Sequence, residues 1–188
     1  MDVLDLGHRQ ATLHHDTFGG TFSLRRMDLS RDLDQLHSWM NDPEVARFWK
    51  KAWPRAQVAS YLRLQNDLAH SVPHLGELDG VAMSYWELYR ADLDPLAEFY
   101  AARGHDAGIH VLLGPAEYRG RGLASSLLRI VSDWQLEADP LAERVVAEPD
   151  VSNARSIRAF ERAGFRRTTE LDLPDKRAVL MVRDRAGR

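Results

Sequence analysis

The chain contains no cysteine. That excludes a disulfide framework, a thiol nucleophile and a cysteine zinc site, and makes the cytoplasm the expected compartment. No run approaches the roughly 20 apolar residues of a membrane helix, and the N-terminus lacks a basic region followed by an apolar one, so neither a membrane partner nor secretion is expected. There is no excess of positive charge either: 25 Lys and Arg against 28 Asp and Glu leave a net charge of −3. This argues against nucleic acid as a partner and leaves only local anion sites, such as Arg119 and Arg121. Internal repeats, low-complexity tracts and an interior linker are also missing, so a single domain is expected.

What is present suffices for one sizeable core: 188 residues, 44% of them hydrophobic. Residues 1–19 carry weak periodicity and three histidines, and they read as a leader segment ahead of one domain over residues 20–188. His14 and His15 are adjacent, but a histidine pair without further ligands makes no site, so no metal is assigned.

Periodicity predicts the elements. Phe22 and Leu24 alternate with polar neighbours in a strand over 21–27. The next helix is expected to be capped by Ser30, to bury Leu33, Leu36, Trp39 and Met40, and to end at Asp42-Pro43. A second helix starts at Pro54 and runs to about His70, and residues 72–89 form a hairpin turned by Asp79-Gly80. A short helical piece around 95–102 precedes an apolar strand, "AGIHVLLG" (107–114). Then "EYRGRGLASS" (117–126) sets two glycines among arginines directly before a helix whose Leu123, Leu127, Leu128, Val131 and Trp134 share a face. "ERVVAEPD" (143–150) is another buried strand. "VSNARSIRAFERAGF" is a helix capped at Ser152 or Asn153 and stopped at Gly164, and two strands close the chain around Pro174-Asp175. This order predicts a mixed sheet covered by helices.

The glycine pair has two readings. It permits a tight strand-to-helix turn, and it equally allows a phosphate to approach unpaired N–H groups at the positive end of a helix dipole. The segment lacks the Lys-Ser/Thr ending of a nucleoside-triphosphate loop and the three-glycine spacing of a dinucleotide fingerprint.

"YRGRGLASSLL" resembles the acyl-CoA motif Arg/Gln-x-x-Gly-x-Gly/Ala of the GCN5-related N-acetyltransferases (GNAT), with Arg119, Gly122 and Ala124 at its fixed positions. "VSNARSIRAFERAGF" is similar to the same superfamily's later asparagine and its helix ending in Gly-Phe. The resemblance covers about residues 20–184. It implies an α/β (α+β) GNAT fold: a central mixed, mostly antiparallel sheet of about seven strands flanked by about four helices. It also implies acetyl-CoA or another acyl-CoA as co-substrate, with no metal. The amides from Arg119 through Gly120, Arg121, Gly122 and Leu123 to Ala124 would hold the pyrophosphate, with Ser125, Asn153 and Ser156 alongside. Strand 109–113 would run beside the pantetheine, and a backbone N–H among Val111, Leu112 and Leu113 would stabilise the oxyanion.

"WMNDPEVARFW", "SYWELYRADLDPLAEFY", "DAGIHVLLGP" and "EPDVSNARSIRAFERAGF" together resemble the siderophore-biosynthesis branch, which acylates the side-chain nitrogen of lysine or N6-hydroxylysine. That implies a small-molecule amine or hydroxylamine as partner. His110 in "GIH" and Glu148 in "EPD" match the branch's proposed catalytic pair, although relatives often carry aspartate at the second position. Asp150 is the competing carboxylate, and a buried structural histidine is the competing reading of His110. The chemistry fits a pair: a lysine ammonium with pKa about 10.4 must lose a proton before attack, and histidine, titrating at about 6.5, can take it as general base.

For the acceptor, Trp49, Tyr85, Trp86 and Tyr89 could line an aromatic slot, with Glu87 or Asp92 attracting an ammonium and Asn41 hydrogen-bonding polar groups. Ordinary core packing competes with that reading. "WMNDPEVARFW" also resembles the opening of aminoglycoside 6′-N-acetyltransferases, an alternative acceptor class. A non-catalytic CoA-binding regulatory module is the alternative of another kind, but it would have no use for His110 and Glu148. A monomer is expected, with a dimer through a sheet edge second.

Overall fold

The structure, a computed structural model, describes residues 6–186. Its strands are β1 (Arg9–Leu13), β2 (Gly20–Arg26), β3 (Ser71–Leu78), β4 (Val81–Arg90), β5 (Ala107–Leu113), β6 (Arg144–Ala147), β7 (Arg166–Asp172) and β8 (Arg177–Asp184). The helices are α1 (Leu29–Met40), α2 (Pro43–Trp49), α3 (Arg55–Asp67), α4 (Leu123–Ala138) and α5 (Ala154–Arg162). The strands form one sheet in the order β1-β2-β3-β4-β5-β6-β8-β7. Every neighbouring pair is antiparallel except β5 and β6.

The expected mixed, mostly antiparallel sheet is therefore present, with one strand and one helix more than the sequence predicts. The extra strand is β1, drawn from the segment read as a leader; its Ala11 lies opposite Phe22, and Leu13 is buried. Five residues with a single strong apolar side chain show too little alternation to announce a strand. The extra helix is α2. Asp42-Pro43 does not merely end α1: Asn41 is the C-cap of α1, and the Asp42 carboxylate accepts from the N–H groups of Glu44 and Val45 to start α2. Proline at the first helical position loses nothing there, because that N–H has no intrahelical partner. At the other end of α1 the expected cap is also corrected. Asp28, not Ser30, is the N-cap, and its carboxylate accepts from Ser30 N at 2.9 Å.

Strand parity divides the core. On one face α4 and α5 pack through Leu127, Val131 and Phe160 against Phe22, Trp86, Leu88 and Ile109. Trp86 is fully buried, and its indole N–H donates to Ser84 Oγ at 2.8 Å. Burying an indole of some 150–250 Å² contributes about 4–6 kcal/mol before entropy. On the other face α1 and α3 pack through Leu36, Met40 and Leu62 against Leu75, Tyr85 and Leu112.

The lone parallel pair positions the site. β5 and β6 pair only at Ala107 with Val145 and at Gly108 with Val146, with α4 as the crossover between them. Beyond those pairs the strands part. Residues 109–113 of β5 and 147–150 at and after the end of β6 then line opposite sides of a cleft of about 360 Å³. Among the described residues no helix is long and apolar enough to cross a membrane.

Candidate active site

His110 on β5 and Glu148 after β6 are each two residues past the last parallel pair, so the fold sets them facing one another where the strands part. His110 Nε2 lies 2.5 Å from Glu148 Oε1, and its Nδ1 lies 3.0 Å from Glu87 Oε2, directly across the β4–β5 ladder. The Tyr89 hydroxyl donates to Glu148 Oε2 at 3.1 Å, and Lys176 Nζ donates to Glu148 Oε1 at 3.3 Å. Tyr61 and Tyr85 both donate hydroxyl hydrogen bonds to Glu87 Oε1. Gly108 is required for this arrangement, since a Cβ there would run into the Tyr89 ring.

The electrostatics follow from the contacts. Burial opposes a charged imidazole, yet the charge and hydrogen bond of Glu148, seconded by Glu87, overrule it and push His110 up to about 10 from its ordinary 6.5. His110 thus rests as an imidazolium that donates through both nitrogens. Burial likewise works to raise Glu148, but the charge and hydrogen bond of His110, with Lys176 and Tyr89 behind them, hold its carboxyl well below the usual range. The Tyr61, Tyr85 and Tyr89 hydroxyls are pushed up by burial first and by their carboxylate neighbours second, so they remain donors.

Asp150, the competing carboxylate, is occupied elsewhere: it accepts from Ser152 N at 2.8 Å and Ser152 Oγ at 2.6 Å, capping the turn before α5.

At the far end of the cleft, Gly120 (φ 75°) and Gly122 (φ 86°) hold the loop in the left-handed region, and Gly122 is the N-cap of α4. The backbone N–H groups of Gly120, Arg121 and Gly122 find no acceptor among the described residues. Together with the start of α4 they offer an anion a ready set of donors. Arg155, Arg158 and Arg162 line the same cleft from α5. These residues fit a phosphate-bearing donor.

The Arg119 side chain is not part of that set. Its guanidinium makes two bonds to Asp42, at 2.9 and 3.0 Å, and also bonds the Gly114 carbonyl, so it ties the start of α2 to the loop. The Ser125 hydroxyl is similarly spent on Gly122 O at 2.6 Å. The Asn153 side chain caps α5 by accepting from Ser156 N at 3.1 Å, and both residues line the cleft. Val111, Leu112, Leu113, Leu123 and Ala124 need separate placement. The first three and Ala124 line the cleft, whereas Leu123 is fully buried in the core.

The acceptor slot drawn from the sequence needs correction. Trp49 does line the cleft, from the end of α2, edge-on to Tyr85. Tyr85, Glu87 and Tyr89 lie beneath His110, buried and committed to the hydrogen bonds above. Trp86, one residue out of phase with them, faces α4 in the core on the opposite side of the sheet. Asn41 donates to His37 O and Trp53 O, joining the end of α1 to the segment before α3. Asp92 pairs with Arg90 and accepts from His105 N. Lys176, Val45 and Phe48 line the cleft without having been singled out in the sequence. Nothing local marks Lys176, whereas "DPEVARFW" becomes legible once Asp42-Pro43 is read as a helix start.

Comparison with known proteins gives the family. The chain is 34% identical over 163 residues to the N(6)-hydroxylysine O-acetyltransferase of Escherichia coli, a match covering 87% of this chain and 52% of that protein. It is 35% identical over 159 residues to the lysine N-acyltransferase MbtK of Mycobacterium sp. (strain MCS), covering 85% and 65%. The chain thus spans between about half and two-thirds of the length of these curated relatives. Among solved structures, AAC(6')-Ib in complex with paromomycin and acetyl-CoA superposes with a TM-score of 0.77 at 30% identity, over 87% of this chain and 93% of that one. A family model described as an acetyltransferase (GNAT) domain matches residues 28–173, and the chain belongs to that family.

Proposed function

We propose that the protein is an acyl-CoA-dependent N-acyltransferase that acylates the side-chain amine or hydroxylamine of lysine, N6-hydroxylysine or a similar diamine-derived acceptor in hydroxamate siderophore biosynthesis. One observation carries the reading: His110, clamped between Glu87 and Glu148, opens on the same cleft as Gly120 and Gly122, whose amides find no acceptor among the described residues. The names of the two curated relatives, both lysine-type acyl-transfer enzymes, support the acceptor class. A bound acyl-CoA supplies the activated acyl group. The chain's own residues do the rest.

The loop amides and the cleft-lining arginines of α5 hold the donor's phosphates. On the side facing away from β4, the backbone of β5 beyond Gly108 has no strand partner, and its Val111–Leu113 edge lies in the cleft, where N–H groups can stabilise an oxyanion. Carboxylates hold both His110 nitrogens, so the acceptor's proton is taken at Nε2 only once that nitrogen has lost its own proton and opened its bond to Glu148, while Glu87 holds Nδ1 and Tyr89 holds Glu148. Because His110 rests protonated, it must first lose its own proton, so the competent base form increases as pH rises towards about 10.

The likeness to AAC(6')-Ib supports an aminoglycoside as a second acceptor class. The His110 end of the cleft opposes it: Glu148 and Asp150 already have Lys176 and Lys50 beside them, which leaves no unmatched carboxylate for a polycation. The test is thiol release from acetyl-CoA with lysine, N6-hydroxylysine, shorter diamine-derived hydroxylamines and an aminoglycoside. Release is expected with the lysine-type acceptors; no release with any amine or hydroxylamine of that class refutes the proposal.

A further inference from the structure

We infer that Lys176 is a specificity-determining residue that sets the acceptor site for an uncharged N-alkylhydroxylamine and against a protonated primary amine. The inference rests on the acyltransferase reading above and sharpens its substrate class.

Lys176 closes the turn between β7 and β8, and the fold holds it there from several directions. Leu173 N donates to Lys176 O at 2.9 Å. Val151 N donates to Arg177 O and Val179 N to Pro149 O, each at 3.0 Å, which zips the segment carrying Glu148 to the start of β8. From across the cleft Lys50 Nζ donates to Asp175 O at 2.7 Å. The Lys176 side chain is only 19% exposed, and its ammonium meets Glu148 Oε1 at 3.3 Å, on the same oxygen that faces His110.

The charges around it are fully matched. Glu87 and Glu148 face His110 and Lys176, two carboxylates against two cations. Asp150, next along the wall, lies 3.9 Å from Lys50. Glu44, at the other end, lies 3.6 Å from both Arg119 and Arg155. Every carboxylate that lines the cleft therefore already has a cation beside it. With His110 protonated, as it rests, a lysine-type ammonium with its pKa of about 10.4 must either bring a further positive charge to a neutral cluster or expel Lys176 from Glu148, and both it and His110 must lose a proton before attack. A hydroxylamine nitrogen is much less basic, because the attached oxygen withdraws electron density. It arrives uncharged with its lone pair free, and Lys176 costs it nothing.

The experiment compares kcat/KM for lysine and for N6-hydroxylysine, with acetyl-CoA at pH 7, in wild type, Lys176→Met, Lys176→Gln and Lys176→Arg. Taking the ratio of the two acceptors within each protein cancels differences in the amount of folded enzyme. The wild type is expected to prefer the hydroxylamine. Both neutral variants should raise the lysine-to-hydroxylysine ratio by about tenfold or more, while Lys176→Arg keeps the wild-type ratio. An unchanged ratio in Met and Gln, a shift in Arg as large as in Met, or a wild type that prefers lysine each overturns the inference. Loss of both turnovers in the neutral variants with acyl-CoA still bound overturns it as well, since Lys176 would then serve the chemistry itself. If the wild type turns over neither acceptor, the inference falls, and if the shorter diamine-derived hydroxylamines also fail, the acyltransferase reading falls with it, results distinct from an unmoved ratio.

Discussion

The two ends of the β5–β6 seam carry similar groups and put them to opposite uses. At the paired end, Asp106 just before β5 receives Arg144 from the start of β6 through two bonds of 2.7 Å, together with the Tyr100 hydroxyl at 2.8 Å and Arg103 N at 2.9 Å. The Asp106 side chain is 1% exposed, and its oxygens meet only protein. At the parted end, His110 and Glu148 form a pair just as close, but a third of the His110 side chain, 34%, opens on the cleft. A cation and a carboxylate sealed between paired strands can only hold the strands together. Where the strands separate, the same kind of pair leaves one side of the imidazole open to the cleft.

That contrast predicts different failures. The largest effect is expected from Arg144→Ala, which strands the Asp106 charge in the interior: stability should fall by about 3–5 kcal/mol in denaturant unfolding, with acyl transfer lost only as the protein unfolds. At the other end His110→Ala should reverse the pattern. Turnover should drop by about 10²–10⁴-fold while acyl-CoA still binds, so unchanged turnover would remove His110 from the chemistry.

A smaller and more specific effect is the pH profile. With N6-hydroxylysine, whose nitrogen is uncharged, kcat/KM should rise about tenfold per pH unit and level off near the His110 value of about 10. Replacing Glu87 by Gln removes one of the two carboxylates that raise that value, so the midpoint should move down. A wild-type profile already flat at pH 7 would show that His110 does not rest protonated. The same linkage acts on stability. The His110 contribution, from a pKa raised above 6.5, is complete below that pH and lost as pH climbs through about 10. The Glu148 contribution, from a lowered pKa, is complete above 4.5 and lost as pH falls below it. The pair should therefore stabilise the fold most between pH 4.5 and 6.5. The smallest effect is expected from Asn41→Ala. It removes two side-chain bonds far from the His110 cluster, costing about 1 kcal/mol in thermal unfolding and leaving acceptor KM unmoved.

How much of this was legible in advance follows the same division. Strands 107–113 and 144–147, the hairpin, and the helix after the glycines all follow from alternation, 3.6-residue spacing and turn chemistry within short windows. β1 and α2 escaped because one is too short and polar to show a period, and the other begins at a proline that also reads as an ending. His110 and Glu148 stand out in the sequence through motifs. Glu87 reads there as a carboxylate in an aromatic strand suited to the acceptor, since no local pattern shows that it stands opposite His110 in the β4–β5 register. Trp86 departs from its expected place by one step of parity, which carries a strand residue to the other face of the sheet.

The glycine-loop end of the cleft is thus legible in the sequence itself. Gly120, Gly122 and the first turn of α4 are contiguous, and a helix start creates its unpaired N–H groups wherever it is folded. The His110 end is decided only by tertiary structure. Glu87 and His110 come from two strands, Glu148 from the segment after a third and Lys176 from a turn, spread across nearly ninety residues of chain. Their charge balance exists only once β5 and β6 pair for two residues and then part.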